Sequence, residues 1–571
     1  MGKVSVLIFL YIFSGVVLSY LPAAGQKPEN AHRKDLPGQI MHDPFNPSRM
    51  VYDRDRNLDG VLDPFFLCGA GDPEGFLYRG LRNPDGTRRG DQMKLIRKMK
   101  QHGGNGIYFI AVRTHGGDAW KDHRDDPGTY PDEHHNPWMD QDPHKGLNMK
   151  ILDQWEEWFS EMDRKGIAIY FFIYDDAINI GNKLGWPLDA AGNLHPGEEQ
   201  FLETLVKRFM HHKHLIWCIM EEGQEAGVNW IQHLSKIAEV IRAADDHDHI
   251  IASHQLGGNL FFHKNDANIS QFALQTHKDS VTSVDDLYQW MTEAVDHSDG
   301  SYSIVMSEDY IQGNLSVPNH NRDEFRQRCW ASAMAGAYSL VLGIDIAGTP
   351  ARWLGDLRRI QLFFENTGFN RMSPAQHLLH GHTRYVLADP GFEYILYTQP
   401  DARRPGVKNL PVGKYSVTWF DCATGKQRTK KNQSISQGDH IWDKPGGFGR
   451  ETVLYLRRED ARPVMGPVIS VPEMQDSEKE WDTVPVAFDE VIRAKKDVEI
   501  TIQLRYHDPD GGPGPYSVEM VTGPVYGTLT GEGNDKIYKP KAGFIGADSF
   551  SWKVSDGKNV SNTGIVKITV Y

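Results

Sequence analysis

The sequence predicts an α/β fold, a (β/α)8 TIM barrel, followed by two small all-β sandwich domains. Two observations carry that reading. From residue 64 to about 368, apolar runs of strand length alternate with segments of helical periodicity. Beyond residue 372 the runs shorten, alternate in polarity and are separated by Gly and Pro turns. A third observation suggests which end of the barrel carries chemistry: two of the apolar runs stop abruptly in carboxylates.

Size and composition are compatible with this architecture. The 571 residues suffice for two to four domains, and 39% hydrophobic with 24% charged residues describes ordinary globular protein. A formal net charge of −14 argues against nucleic acid and anionic membrane as partners. Only four cysteines occur, Cys68, Cys218, Cys329 and Cys422, and their spacing matches neither a disulfide framework nor a zinc site. So few cysteines in an exported chain of this length point to a bacterial source.

Export is read from the N-terminus. Lys3, the apolar run 4–21 and Ala23-Ala24-Gly25 form the three regions of a secretory signal peptide, assigned to residues 1–25. The alternative is an uncleaved anchor, because the run is long enough to span a bilayer. Residues 26–48 are polar and contain Pro, and read as a linker. Asp55, Asn57 and Asp59 then occupy the first, third and fifth positions of an EF-hand-like loop, with Gly60 at the sixth. Phe66 stands at the twelfth, where a bidentate Glu is needed, so an Asx-stabilised turn is the favoured reading over calcium.

The barrel is assigned to 49–371, with strands at 64–69, 105–112, 166–174, 214–221, 250–254, 269–276, 303–308 and 338–345. Continuous apolar runs fit parallel strands covered on both faces. Among the helices between them, Ile151, Leu152, Trp155, Trp158, Phe159 and Met162 make one apolar face; Phe201, Leu202, Leu205, Val206, Phe209 and Met210 make another. Strand followed by helix, eight times, is what the barrel requires. A doubly wound open sheet competes, but its Gly-rich phosphate turn is missing.

The fourth strand ends in Glu221-Glu222 and the seventh in Ser307-Glu308-Asp309. Parallel barrels place their chemistry at the C-terminal ends of strands, and strands four and seven can aim side chains at a common point. Glycoside hydrolysis needs such a pair: one carboxylic acid to protonate the leaving oxygen, one carboxylate to attack the sugar or activate water. Ile216-Trp217 leading to Glu221-Glu222 resembles the fourth strand of the clan A glycoside hydrolases, and Ser307-Glu308 resembles their nucleophile strand. That resemblance implies retention, with Glu222 as acid/base and Glu308 as nucleophile. Glu221 stands where the clan has Asn, so either the sugar subsite differs or Glu221 takes the proton-transfer role. Adjacent carboxylates raise one pKa, which suits a general acid.

Other strand ends contribute rim candidates: Arg113 and His115 after the second strand, Asp175 after the third, His254 at the fifth, His277 after the sixth and Tyr310 after the seventh. The resemblance gives Arg113 the task of holding Glu308 ionised. Trp120, with Trp138 and Trp186, offers rings for stacking on sugar faces or for loop packing. The clusters Asp132-Glu133-His134-His135 and His211-His212-Lys213-His214 lack the spacing of a helical zinc motif, and no cofactor is expected beyond calcium in a structural role.

Residues 372–460 read as a β-sandwich. Gly413-Lys414-Tyr415-Ser416-Val417-Thr418-Trp419-Phe420-Asp421 with Thr424-Gly425 resembles the collagen-binding-type domain that follows bacterial sugar-hydrolase barrels; support of the barrel is expected rather than collagen binding. After a linker at 461–482, residues 483–571 carry Asp508-Pro509-Asp510-Gly511-Gly512, Gly527-Thr528-Leu529, Tyr538-Lys539-Pro540, Gly543-Phe544-Ile545-Gly546-Ala547-Asp548 and Ser555-Asp556-Gly557. These resemble the cadherin-like tandem repeats of bacterial surface proteins. The resemblance implies an immunoglobulin-like sandwich, Asp508 and Asp510 as calcium candidates, and contacts with a cell surface or matrix. The expected partner of the barrel is a plant or algal poly- or oligosaccharide. A non-catalytic glycan- or matrix-binding adhesin on a degenerate barrel is the rival expectation.

Overall fold

The computed structural model describes residues 36–55, 62–71, 76–113, 135–175, 178–276, 280–309, 321–341, 346–347, 349–398, 400–459, 485–487, 490–507 and 516–571. The chain enters through an antiparallel hairpin, β1 (Ile40–Asp43) with β2 (Asn46–Tyr52). Residues 40–43 thus form strand inside the stretch read as linker, because their partner β2 is buried against the barrel and draws them with it.

The elements that follow are β3 (Cys68–Gly71), the small ribbon β4 (Leu81–Arg82) and β5 (Arg88–Arg89), α1 (Gln92–His102), β6 (Gly106–Val112) and α2 (Met149–Lys165). Next come β7 (Ala168–Tyr174), α3 (Ile180–Lys183), α4 (Pro196–Phe209), β8 (Leu215–Met220), α5 (Trp230–Ala244), β9 (Ile251–Gln255) and β10 (Gln271–Gln275). The barrel region ends with α6 (Val284–Ser298), β11 (Ser303–Glu308), α7 (Arg322–Met334), β12 (Tyr338–Val341) and α8 (Ala351–Phe364). Strands β3, β6, β7, β8, β9, β10, β11 and β12 close into a parallel barrel in chain order.

Local chemistry explains the elements. Every residue of β6, β7 and β8 is buried, as their unbroken apolar runs require. Helix α2 starts where the Asn148 side chain accepts from the Lys150 N–H and stops at Gly166 in the left-handed region. Its buried face is the one anticipated, Ile151 to Met162. A capping box of Ser283 and Asp286 opens α6. Where β3 crosses β6, a Cβ on Gly69 would lie 2.1 Å from the Gly106 carbonyl oxygen, so only glycine fits. One expectation needs correction: β9 and β10 are joined by residues 256–270 through turns, without a helix. That segment has Gly257-Gly258 near its start, both at positive φ, and carries the turn-forming run Asn265-Asp266-Ala267-Asn268, which break a helical run.

The β1–β2 hairpin closes the N-terminal end of the barrel. The Met50 N–H donates to the Tyr338 hydroxyl at 2.7 Å, and Ile40 N–H donates to the Lys213 carbonyl at 2.9 Å. Beneath it, Gln271 accepts from the Tyr170 hydroxyl at 2.8 Å and donates to Ser303 Oγ at 2.8 Å.

Residues 373–458 form a six-stranded antiparallel-paired sheet and a three-stranded one. One face of the larger sheet belongs to the barrel's own core, with Tyr397 against Trp330 and Phe420 against Phe363. Arg326 of α7 reaches across to Glu451 at 2.7 Å, and Glu451 also accepts from Tyr397 at 2.6 Å. The opposite face packs with the small sheet around Leu396, Val407, Trp419 and Leu454. Residues 490–570 make a four-stranded and a three-stranded sheet around Tyr538, Phe550, Trp552, Val566 and Ile568. All four cysteines are free and buried, behaving as small apolar side chains.

Candidate active site

The two acid-bearing strand ends meet. β8 ends at Met220 and β11 at Glu308, both at the C-terminal rim of the barrel. Between them stands β10, whose last residue, Gln275, touches both: its Nε2 donates to Glu222 Oε1 at 2.8 Å and to Glu308 Oε2 at 2.6 Å. One nitrogen serving both oxygens holds them within about 5.4 Å of one another, a limit set by the two bond lengths. The amide cannot turn over, because its Oε1 accepts from the Gly257 N–H at 3.0 Å. Nothing along the chain sets Gln275 apart as a site residue. The period-2 pattern Gln271, Ala273, Gln275 puts it on the inward face, but a bulge at Leu274/Gln275 is what sets it opposite Glu308.

Each acid has a distinct setting. Glu222 sits in the left-handed region at φ 43° and ψ 58°, uncommon for a residue with a side chain. Its N–H donates to His254 Nδ1 at 2.9 Å, which helps hold that conformation. The same bond fixes the histidine tautomer, leaving the proton on Nε2, which lies 4.0 Å from Glu308 Oε2. Glu221 is 7% exposed and accepts from the Tyr108 hydroxyl at 2.7 Å. Burial, and then the Glu221 and Glu308 carboxylates, push the Tyr108 phenol well above its ordinary range, so it remains a donor. Asp309, next to Glu308, is held elsewhere: Arg328 donates to it at 2.7 Å and Thr276 at 3.1 Å. Only one of the two seventh-strand acids therefore faces Gln275.

The remaining rim residues divide. Arg113 is fully buried and pairs with Asp175 at 3.4 Å, joining the ends of β6 and β7. His115, Trp120, His277 and Tyr310 lie outside the described residues, as do Asn57, Asp59, Asp508 and Asp510 of the calcium candidates. Asp55 is described and half-buried just beyond β2. Of the two roles open to Trp138 and Trp186, loop packing is the one the fold gives them: both are buried, edge to face at 5.6 Å. Tyr108, like Gln275, was not anticipated; it hides in the middle of an apolar run, where an aromatic reads as core.

Comparison with known proteins agrees with this architecture. Residues 482–569 match a family model described as a bacterial Ig domain. No curated protein matches the chain by sequence. Among solved structures, one described as a glycoside hydrolase superposes with a TM-score of 0.54 at 13% identity, covering 74% of this chain and 98% of the other. A glycoside hydrolase family 5 protein from Bacteroides vulgatus ATCC 8482 gives 0.53 at 14% identity, covering 76% and 97%. At such identities the likeness is one of fold: the chain is a closed eight-stranded parallel barrel with all-β domains behind it, built like these glycoside hydrolases and ending in an immunoglobulin-like domain.

Proposed function

We propose that the chain is a secreted glycoside hydrolase that cleaves O-glycosidic bonds in plant or algal poly- or oligosaccharides with retention. The observation that carries this reading is the single Gln275 nitrogen shared by Glu222 and Glu308. Its two bonds favour the ~5–5.5 Å carboxyl spacing of double displacement over the ~6.5–9.5 Å of inversion. In the first step a Glu308 oxygen bonds to the anomeric carbon as the bond to the leaving oxygen breaks, and that oxygen takes the Glu222 proton. In the second, Glu222 takes a proton from water, the water oxygen bonds to the anomeric carbon, and the ester to Glu308 breaks. Gln275 holds the spacing, and Nε2–H of His254 faces the nucleophile's oxygen.

The test is hydrolysis of a panel of aryl glycosides and plant and algal polysaccharides. Glu308→Gln lowers turnover by about 10⁴-fold or more while glycan binding persists, and Glu222→Gln lowers it by about 10²–10⁴-fold. NMR of the first product shows the anomeric configuration kept. Glycan binding by a wild-type chain that cleaves nothing on the panel would instead select the adhesin.

A further inference from the structure

The sequence run His211-His212-Lys213-His214 takes no part in the site described above, and the fold gives it a partner. It forms the turn between α4 and β8, at the end of the barrel opposite Glu222 and Glu308. There Glu156, projecting from α2, lies with Oε1 2.9 Å from His211 Nε2 and 3.2 Å from His212 Nε2. All three donor atoms fall within 4.8 Å of one another.

We infer that Glu156, His211 and His212 form a structural site for a divalent transition-metal ion of the zinc class, clamping α2 to the turn before β8. Two imidazole nitrogens and one carboxylate oxygen are a donor set for zinc rather than for calcium or magnesium, which prefer oxygen throughout. A tetrahedral ion with bonds of ~2.0–2.1 Å spaces its ligands by about 3.3 Å, so the two carboxylate–imidazole contacts need to open by only a few tenths of an ångström, and the two imidazole nitrogens, within 4.8 Å of one another, to close on the ion.

The buried histidine makes the stronger argument. His212 is 2% exposed, yet its Nε2 lies off the line that a hydrogen bond to Glu156 requires. Its Nδ1 faces Asp163 Oδ2 at 3.7 Å. That is longer than a hydrogen bond, and a small turn of the ring toward Asp163 would complete the carboxylate–histidine arrangement that orients the near nitrogen toward a metal. Asp163 is itself held, accepting from the Lys213 and His214 N–H groups at 3.1 and 2.9 Å. Arg208 lies 3.6 Å from the other Glu156 oxygen, Oε2, while Oε1, which also accepts from Ser160 Oγ at 3.2 Å, is the oxygen that faces both imidazoles. His211 is 54% exposed, which leaves solvent to complete the coordination. No local motif announces the site because its ligands come from one turn and from a helix 55 residues earlier.

The experiment uses the full, tag-free chain stripped with chelator and titrated with zinc chloride by calorimetry, with cobalt(II) absorption as a second reading. Expected are a bound equivalent of zinc that His211→Ala and Glu156→Gln each remove or weaken by about 10–100-fold or more, and a four-coordinate cobalt spectrum lost with it. Zinc raises the melting temperature of the wild type and not of the variants. Glu156→Gln keeps the shape of the side chain, and His211 is exposed, so loss of folding does not mimic loss of the site; circular dichroism checks this. Absence of stoichiometric zinc, or zinc and cobalt binding that survives both substitutions, overturns the assignment.

Discussion

Two glutamines on one strand, four residues apart and on the same inward face, do different work. Gln271, at the N-terminal end of β10, is wholly buried; it links Tyr170 to Ser303 beneath the entering hairpin. Gln275, at the C-terminal end, spends both protons of its amide nitrogen on carboxylates that are only partly buried. The chemistry of the side chain is the same. What differs is whether its partners are neutral and sealed or anionic and reachable. A parallel barrel separates stability from chemistry along its axis in this way: here the lower end is closed by the β1–β2 hairpin, while the upper end carries the residues that follow the strands.

Substitution at the two positions separates the roles. Gln275→Leu removes the shared donor and lowers kcat/KM on any cleaved glycoside by about 10²-fold, with little change in melting temperature because both carboxylates are only partly buried. Steady-state kinetics beside a thermal melt reads both. Gln271→Leu removes the acceptor of the Tyr170 hydroxyl in the sealed end, Ser303 keeping His42 Nε2 at 3.0 Å, and costs about 1–3 kcal/mol of stability. Below the melting transition it leaves kcat/KM unchanged. If the two variants behaved alike, the division between the barrel ends would fail.

A pH titration sharpens the contrast further. Asp245, buried just before β9, accepts from Trp217 Nε1, the His247 and His249 N–H groups and the His249 ring. Burial acts to raise its pKa, but the hydrogen bonds from His249 and the backbone prevail and bring it from 3.8 down to about 2. A folded-state value below the unfolded one stabilises at all pH above the unfolded value, and the contribution disappears as pH falls from about 4 through about 2. It amounts to about 2 kcal/mol. Denaturant melts of Asp245→Asn are therefore expected to flatten the acid limb over that window. The share of the wild-type loss that Asp245→Asn removes belongs to the sealed end of the barrel.

Much of this was legible in the chain. Strand runs such as Ile216-Trp217-Cys218-Ile219-Met220 announce burial on both faces, and their abrupt stop in Glu221-Glu222 announces a rim. Periodicity also located the buried face of α2 to the residue. The site itself was half legible. Acids at strand ends stand out because charge ends an apolar run; Tyr108 and Gln275 do not, since an aromatic within a strand reads as core and an amide at its end reads as a turn. The resemblance picks out Glu308, but nothing along the chain shows why Asp309 beside it is kept from the rim. Arg328, which sequesters Asp309, arrives from the following helix.

Composition and periodicity by themselves determined the layers: which segments are strand or helix, where the barrel gives way to β domains, and which strands carry acid at their tips. Those are short-range properties, written in the spacing of apolar residues along the backbone. Tertiary structure alone decided which side chains meet. It brought Gln275 between two glutamates through a one-residue bulge, folded residues 40–43 under the barrel, buried Trp138 and Trp186, and set Glu156 beside His211 and His212. Such meetings depend on strand register and loop path, which hydrophobic pattern constrains only as far as inside and outside.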